Sequence, residues 1–244
     1  MRCFILGNGP SLNDTDLDAL RTEITFGVNQ CELIYPKTSW RPKYWVCNDR
    51  DLKIPIGEWA ELFLSHYLLG EHCFIAPRHI TRLSYLPAHE EIWDSFTKKS
   101  GWPAEWKNGI VPIPRFEVLD LCRLHGTRIG MEDKWPLSWH LPQLCLFAGS
   151  IPTTIQLAVT MGFDEIYMLG CDLGYKVGIN HFRDDYPVFR PYDEEWAAYF
   201  ERALVYAHSL AAKECEARGV KIYNAGTGGK LTAYPRIRLE DALL

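Results

Sequence analysis

The sequence predicts an α/β protein built on a doubly wound, mostly parallel, Rossmann-like sheet. Three observations predict it. Apolar runs of four or five residues recur without polar alternation, which is how strands look when both faces are covered. Each run ends on a small or polar residue. Segments of helical period separate several of the runs, giving the strand–helix alternation of a parallel sheet.

The first run, Arg2–Leu6, ends at Gly7-Asn8-Gly9. From Asp14 to Arg21 an Asp/Thr start precedes Leu17 and Leu20, three apart, which predicts a short capped amphipathic helix. Ile24–Val28 then ends at Asn29-Gln30, Tyr44–Cys47 at Asn48-Asp49, and Cys73–Ala76 at Pro77. Beyond that the periodicity is lost. From about Thr81 to Leu144, Trp93, Trp102, Trp106, Trp135 and Trp139 lie among many prolines. No Gly/Ser-rich or charged linker brackets this stretch, so it reads as an insertion or flap within one domain of residues 1–244. Thr153–Met161 returns to helical spacing, with Ile155, Leu157, Ala158 and Met161 together and Gly162 as the stop. Glu165–Leu169 ends at Gly170-Cys171-Asp172. The longest helix is expected from about Asp193 to Arg218, burying Trp196, Tyr199, Phe200, Ala203, Ala207, Leu210 and Ala211, and Gly219 ends it. The last run, Val220–Tyr223, ends at Asn224-Ala225-Gly226.

Composition narrows the function classes. Lys and Arg number 26 against 31 Asp and Glu, a formal net charge of −5, which argues against a broad nucleic-acid or anionic-membrane surface. No apolar stretch reaches the roughly 20 residues that span a bilayer. The opening apolar run is too short for a signal-peptide core, so a cytoplasmic protein is expected. The closest of the eight cysteines, Cys31 and Cys47, are 16 positions apart, so no metal-finger spacing exists, and buried reduced thiols are expected.

The strongest chemical signal is Phe4-Ile5-Leu6-Gly7-Asn8-Gly9-Pro10-Ser11-Leu12. A buried strand running through a glycine turn into a helix start suits phosphate, because glycines allow close approach and free amides with a helix dipole favour an anion. It matches neither GxGxxG nor GxxxxGK[ST]. Asn29 and Asn48 follow the next two strands at the edge where open α/β sheets bind ligands, and an amide can read a nucleobase edge or a ribose hydroxyl. Gly149-Ser150-Ile151-Pro152-Thr153-Thr154 is a second cradle, in which Ser150 or Thr153 caps a helix beginning near Pro152 and ligand contact remains compatible with capping. Gly170-Cys171-Asp172 offers a carboxylate to a ribose hydroxyl, a divalent metal or a substrate hydroxyl.

The segment Asn180-His181-Phe182-Arg183-Asp184-Asp185-Tyr186 is polar and aromatic enough for an active-site lid, with His181 the candidate general base. Tyr175, Tyr186 and Arg183 are candidates for phosphate oxygens. Asp14-Thr15-Asp16 and Asp49-Arg50-Asp51 match the bare Asp-x-Asp pattern; Asp14 and Asp16 read as helix-start charges, and Asp49 and Asp51 as metal ligands with no further support. The Gly226–Lys230 stretch superficially resembles a phosphate loop, but Pro235 interrupts any following helix, so it reads as a glycine-rich edge loop beside the ligand.

With Gly7–Leu12 and the block Gly149–Tyr175, the sequence resembles the MptE-like Rossmann proteins, and the tail Ile222–Ile237 resembles their bacterial members. More distantly it resembles the bacterial family 42 sialyltransferases, which share the GNGPSL opening and the asparagines after the second and third strands. The resemblance spans roughly two-thirds of the chain and leaves out the Trp-rich middle. It implies a CMP-sugar donor bound by Asn8, Gly9, Asn29, Asn48, Ser150 and the Gly170–Asp172 turn. It further implies metal-independent inverting transfer, with His181 deprotonating the acceptor hydroxyl and Tyr175 and Tyr186 stabilising the departing phosphate. The expected function is a nucleotide-sugar-dependent glycosyltransferase of surface polysaccharide synthesis, using a nucleotide-sugar donor and a glycan or small-molecule acceptor. Under that reading Gly7, Ser11, Thr153 and Gly170 complete the nucleotide and phosphate site, no cofactor is required, and a homo-oligomer is left open. The MptE side of the resemblance implies instead a magnesium-dependent pterin pyrophosphokinase using ATP, with Asp172, Asp184 or Asp185 as metal ligands. A non-catalytic nucleotide-binding protein is the third reading.

Overall fold

The computed structural model describes residues 1–47, 72–75, 116–118, 120–122, 139, 143–145, 149–178, 180–186 and 193–244. Nine strands fall within them: β1 (Arg2–Leu6), β2 (Thr25–Val28), β3 (Tyr44–Cys47), β4 (His72–Ile75), β5 (Phe116–Val118), β6 (Asp120–Cys122), β7 (Gln143–Cys145), β8 (Glu165–Leu169) and β9 (Lys221–Asn224). Seven of them form one sheet in the order β5-β4-β3-β2-β1-β8-β9, and β6 and β7 pair separately. Every pairing is parallel. The chain therefore builds outward from β1 in one direction through β5, then returns to place β8 against β1 on the other side. The strand order reverses between β1 and β8, the topological switch point where such sheets bind ligands.

The absence of polar alternation has the predicted cause. In β1, Phe4 and Leu6 enter one apolar cluster and Cys3 and Ile5 the other, so both faces are covered. One face packs against helix α1 (Ser150–Thr160) and helix α2 (Glu194–Ala217). The other is covered by 3-10 segments at Pro10–Asp14, Leu17–Leu20 and Cys31–Lys37, and by the short helix α3 (Leu239–Ala242). A polar group buried in the sheet finds a partner: Thr25, fully buried in β2, accepts from the Trp40 indole at 3.1 Å.

Two expectations are corrected. The helix expected over Asp14–Arg21 is a pair of 3-10 turns, and Asp16 caps the second by accepting from the Asp18 amide. The Thr15 hydroxyl bonds back to the Ser11 carbonyl, so this stretch satisfies itself locally without needing α-helical bonds. The buried stripe of α2 holds Ala203, Ala207 and Ala211 as expected, but its other members are Ala197, Leu204, His208 and Cys215. Trp196, Tyr199, Phe200 and Leu210 are only half-buried. The ends of α2 follow the sequence closely. Asp193 accepts from the Trp196 amide at 2.7 Å, and Gly219, at φ +73°, lies just past the last turn.

Among the described residues, Cys3, Cys31, Cys47, Cys171 and Cys215 are buried, and burial raises the Cys215 thiol to about 12. No helix among them is long and apolar enough to cross a membrane. The expected insertion from about Thr81 to Leu144 lies largely outside the described residues.

Candidate active site at the switch point

The turns after β1 and β8 meet directly. Gly7 donates to the Leu169 carbonyl and Gly9 to the Gly170 carbonyl, both at 2.8 Å. Neither glycine has room for a side chain. A Cβ on Gly7 would run into the Gly170 carbonyl, and one on Gly9 would lie 2.5 Å from Asp172 Oδ2. Asp172 then closes the turn: its carboxylate accepts from the Ser11 amide at 2.8 Å and the Ser11 hydroxyl at 2.5 Å. A third loop seals the junction. Lys230 donates its amide to the Asp172 carbonyl, and Arg236 ties the glycine-rich loop by donating to the carbonyls of Gly226, Gly228 and Gly229 at 2.8–3.0 Å. This corrects the expectation of free amides along Gly7–Ser11. Those of Gly7, Gly9 and Ser11 have protein acceptors, and a carboxylate stands where the helix start favours an anion.

The β2 side of the switch point is built differently. Asn29 ends β2 in the left-handed region at φ +47°, an uncommon conformation for a residue with a side chain. Its amide hydrogen goes to Val46 at 2.9 Å and its carbonyl accepts from the Trp45 indole at 2.6 Å, so neighbouring β3 holds the conformation. The Asn29 side chain donates to Ser150 Oγ at 2.8 Å, which brings the start of α1 to the same edge. Neither Ser150 nor Thr153 caps that helix, a second correction. Gly149 is the N-cap with no side-chain bond, while Thr153 and Thr154 turn back to the carbonyls of Gly149 and Ser150. Ser150 accepts from Asn29, so its own O–H is left for another acceptor, at the positive end of an 11-residue helix.

Asn8 links this edge to the 180–186 segment. Its Nδ2 donates to the Val28 carbonyl at 3.0 Å and to Tyr186 Oη at 2.7 Å. A carbonyl can only accept, so Nδ2 must face Val28 and the amide cannot be flipped. That leaves Asn8 Oδ1 buried with no partner, and Gln30 Oε1 is in the same condition. Buried acceptors without a donor carry an unrecovered desolvation penalty, so two beside one strand end call for an explanation.

The His181 ring stacks on Tyr186, centroids 4.0 Å apart and planes within 3°. Burial against it pushes the imidazole down to about 4, so His181 is neutral at pH 7. Tyr186 and Phe182 are buried beneath it.

The structure thus groups Asn8, Asn29, Ser150, His181 and Tyr186 at one edge, and Gly7, Gly9, Ser11, Gly170 and Asp172 in the adjoining sealed junction. Tyr175 lies against α2, edge-on to Phe200 at 5.1 Å, with the Gly174 and Tyr175 amides donating to the Glu201 carboxylate. Asp184 is exposed and Asp185 pairs with Arg183. Among the described residues no three His, Cys, Asp or Glu side chains converge as a metal site. Asn48, Asp49 and Asp51 lie outside the described residues. Sequence reasoning passed over Gln30, although the available signal was a second amide directly after Asn29 at the carboxyl end of a strand beside the switch point.

No family model matches the chain, and no curated protein matches it. A search of solved structures aligns it with the MAf glycosyltransferase from Magnetospirillum magneticum AMB-1, at 14% identity and a TM-score of 0.47, over 97% of this chain and 33% of that one. The chain spans about a third of the length of that structure.

Proposed function

We propose that the protein is a nucleotide-sugar-dependent glycosyltransferase of surface polysaccharide synthesis, with a CMP-sugar as the favoured donor and His181 as the general base. The observation that carries this reading is the neutral His181–Tyr186 stack, tied through Asn8 to a strand end that holds two buried, unpartnered acceptors. An imidazole that is already neutral can accept a proton at pH 7 without first losing one. Asn8 Oδ1 and Gln30 Oε1 suit N–H or O–H donors, which a nucleobase amine and sugar hydroxyls supply and a bare phosphate does not. The nucleotide phosphate then faces the uncapped start of α1 and the Ser150 hydroxyl.

In the transfer step the acceptor hydroxyl oxygen forms its bond to the anomeric carbon as the bond from that carbon to the phosphate oxygen breaks. The phosphate leaves with the electron pair, and the hydroxyl proton passes to His181. A weakly basic imidazole becomes more basic beside the donor's negative charge, which stabilises the imidazolium formed during attack. The Tyr186 hydroxyl, which accepts from Asn8, would stabilise the leaving group.

The test is His181→Ala, assayed for nucleotide affinity and for transfer separately. Affinity is expected to hold while kcat falls by about 100-fold or more, the usual contribution of a positioned base. Unchanged turnover overturns His181 as base. Abolition of wild-type activity by EDTA would point instead to the diphosphotransferase, and binding without any turnover, even of the donor by water, to a non-catalytic protein.

A further inference from the structure

We propose that Asn13, oriented by Lys37, is the positioning residue that seats the 181–186 segment over the site and so presents His181 to the acceptor. The inference deepens the function proposed above and rests on it for the role of His181, but its geometry is independent of it.

The Phe182 peptide is gripped from both sides by one turn. Its amide donates to the Asn8 carbonyl at 2.9 Å, and its carbonyl accepts from Asn13 Nδ2 at 2.9 Å. Asn8 precedes the Pro10–Asp14 turn and Asn13 lies within it, and the Ser11–Asp172 pair locks that turn to the β8 side. The seat is therefore part of the rigid junction. Its chemistry is also oriented: Lys37 Nζ donates to Asn13 Oδ1 at 3.0 Å. An ammonium only donates, so Oδ1 must face Lys37 and Nδ2 must face Phe182.

Several polar side chains of the segment do not anchor it to the body. Arg183 and Asp185 pair with each other, and Asn180 bonds back to Lys176 and Gly178. Phe182 is held by its peptide and by its buried ring, which meets Tyr186 edge-on at 5.8 Å. His181, the preceding residue, takes its place on Tyr186 from that anchor. Without the Asn13 donor, the carbonyl end of the Phe182 peptide loses its partner and the stack loses one of its supports.

The readout is the His181 imidazole itself, titrated by NMR on the full chain with isotope-labelled histidine. In the wild type His181 should titrate near 4, as should His208, which is buried far along α2 against Tyr234. Asn13→Leu removes the donor without adding charge. It should move His181 upward toward the ordinary histidine range of about 6.5 as the ring leaves its seat, while His208 stays put as the folding control. Lys37→Ala, which leaves the amide present but unoriented, should move His181 the same way by less, and Lys37→Arg should restore the wild-type value. With a working donor–acceptor pair, Asn13→Leu should lower kcat roughly tenfold, the effect of about one hydrogen bond, with little change in donor KM. An unmoved His181 in both Asn13→Leu and Lys37→Ala, with His208 unchanged, overturns the proposal. If the titration moves but no transfer is found in any variant or the wild type, the positioning stands and the glycosyltransferase reading fails.

Discussion

The two sides of the switch point use their polar groups in opposite ways. On the β8 side, the amides of Gly7, Gly9 and Ser11 all have acceptors within the protein, and Asp172 fills the anion position. On the β2 side, Asn8 and Gln30 each bury an acceptor with no donor, and the start of α1 lacks a side-chain cap. A glycine-rich turn at a strand end thus reports close approach of something, and here that something is protein backbone. Under the proposed function, the groups that would meet a ligand are the unsatisfied ones next door, since a folded protein rarely leaves buried acceptors unpaired without a reason.

The largest expected effect tests the sealed side. Gly229 sits at φ +81°, and a Cβ there would collide with the Asp172 backbone, which cannot swing away as a side chain would. Gly229→Ala should therefore destabilise the fold by about 4 kcal/mol, combining left-handed strain with overpacking. Gly228→Ala, where a Cβ meets only the Ser11 side chain at 3.5 Å, should cost less than about 1 kcal/mol. Urea denaturation of the two variants measures the difference. Equal stabilities would mean the third loop does not pack on Asp172 as described.

A smaller effect separates the interior from the site. His208 and His181 are both held near 4 by burial, below the ordinary value of about 6.5. The unfolded chain then takes up protons first as the pH falls. Stability should be flat above about pH 6.5 and fall between there and about pH 4, by up to about 3 kcal/mol for a histidine shifted this far. His208 has no access to a ligand, so its share should persist when nucleotide is bound. The His181 share should shrink, because a bound anion favours the imidazolium. Denaturation midpoints at pH 7 and pH 4.5, with and without CMP, check both statements, and an acid loss identical in the two conditions would separate His181 from the ligand site.

The sheet was legible because its signal is local and strong. Runs such as Phe4-Ile5-Leu6 and Tyr167-Met168-Leu169 have no polar face, and only a strand covered on both sides tolerates that. The limits of α2 were legible for the same reason, since Asp193 and Gly219 act within one turn of the ends. The meaning of Gly7 and Gly9 was half legible. The need for close approach is written in the residue type, but the partner, Asp172, lies more than 160 positions away and appears only when β8 pairs with β1. Gln30 was half legible: a second amide after Asn29 is visible at the strand end, but nothing local distinguishes a solvated amide from one buried without a donor. Tyr175 and Tyr186 look equivalent in sequence. They part company because Glu201 captures the amides beside the first and Asn8 captures the hydroxyl of the second.

The most direct test of the ligand edge is thermal unfolding of wild type and Gln30→Leu against increasing CMP. Ligand that binds only the folded protein stabilises it by about 2.7 kcal/mol at 100 times Kd, so the wild-type Tm should climb with concentration. Gln30→Leu should match or exceed the wild type without ligand, since it removes an unpaired buried acceptor, and should lose most of the response to CMP. A Gln30→Leu protein that tracks the wild type at every CMP concentration would contradict the account.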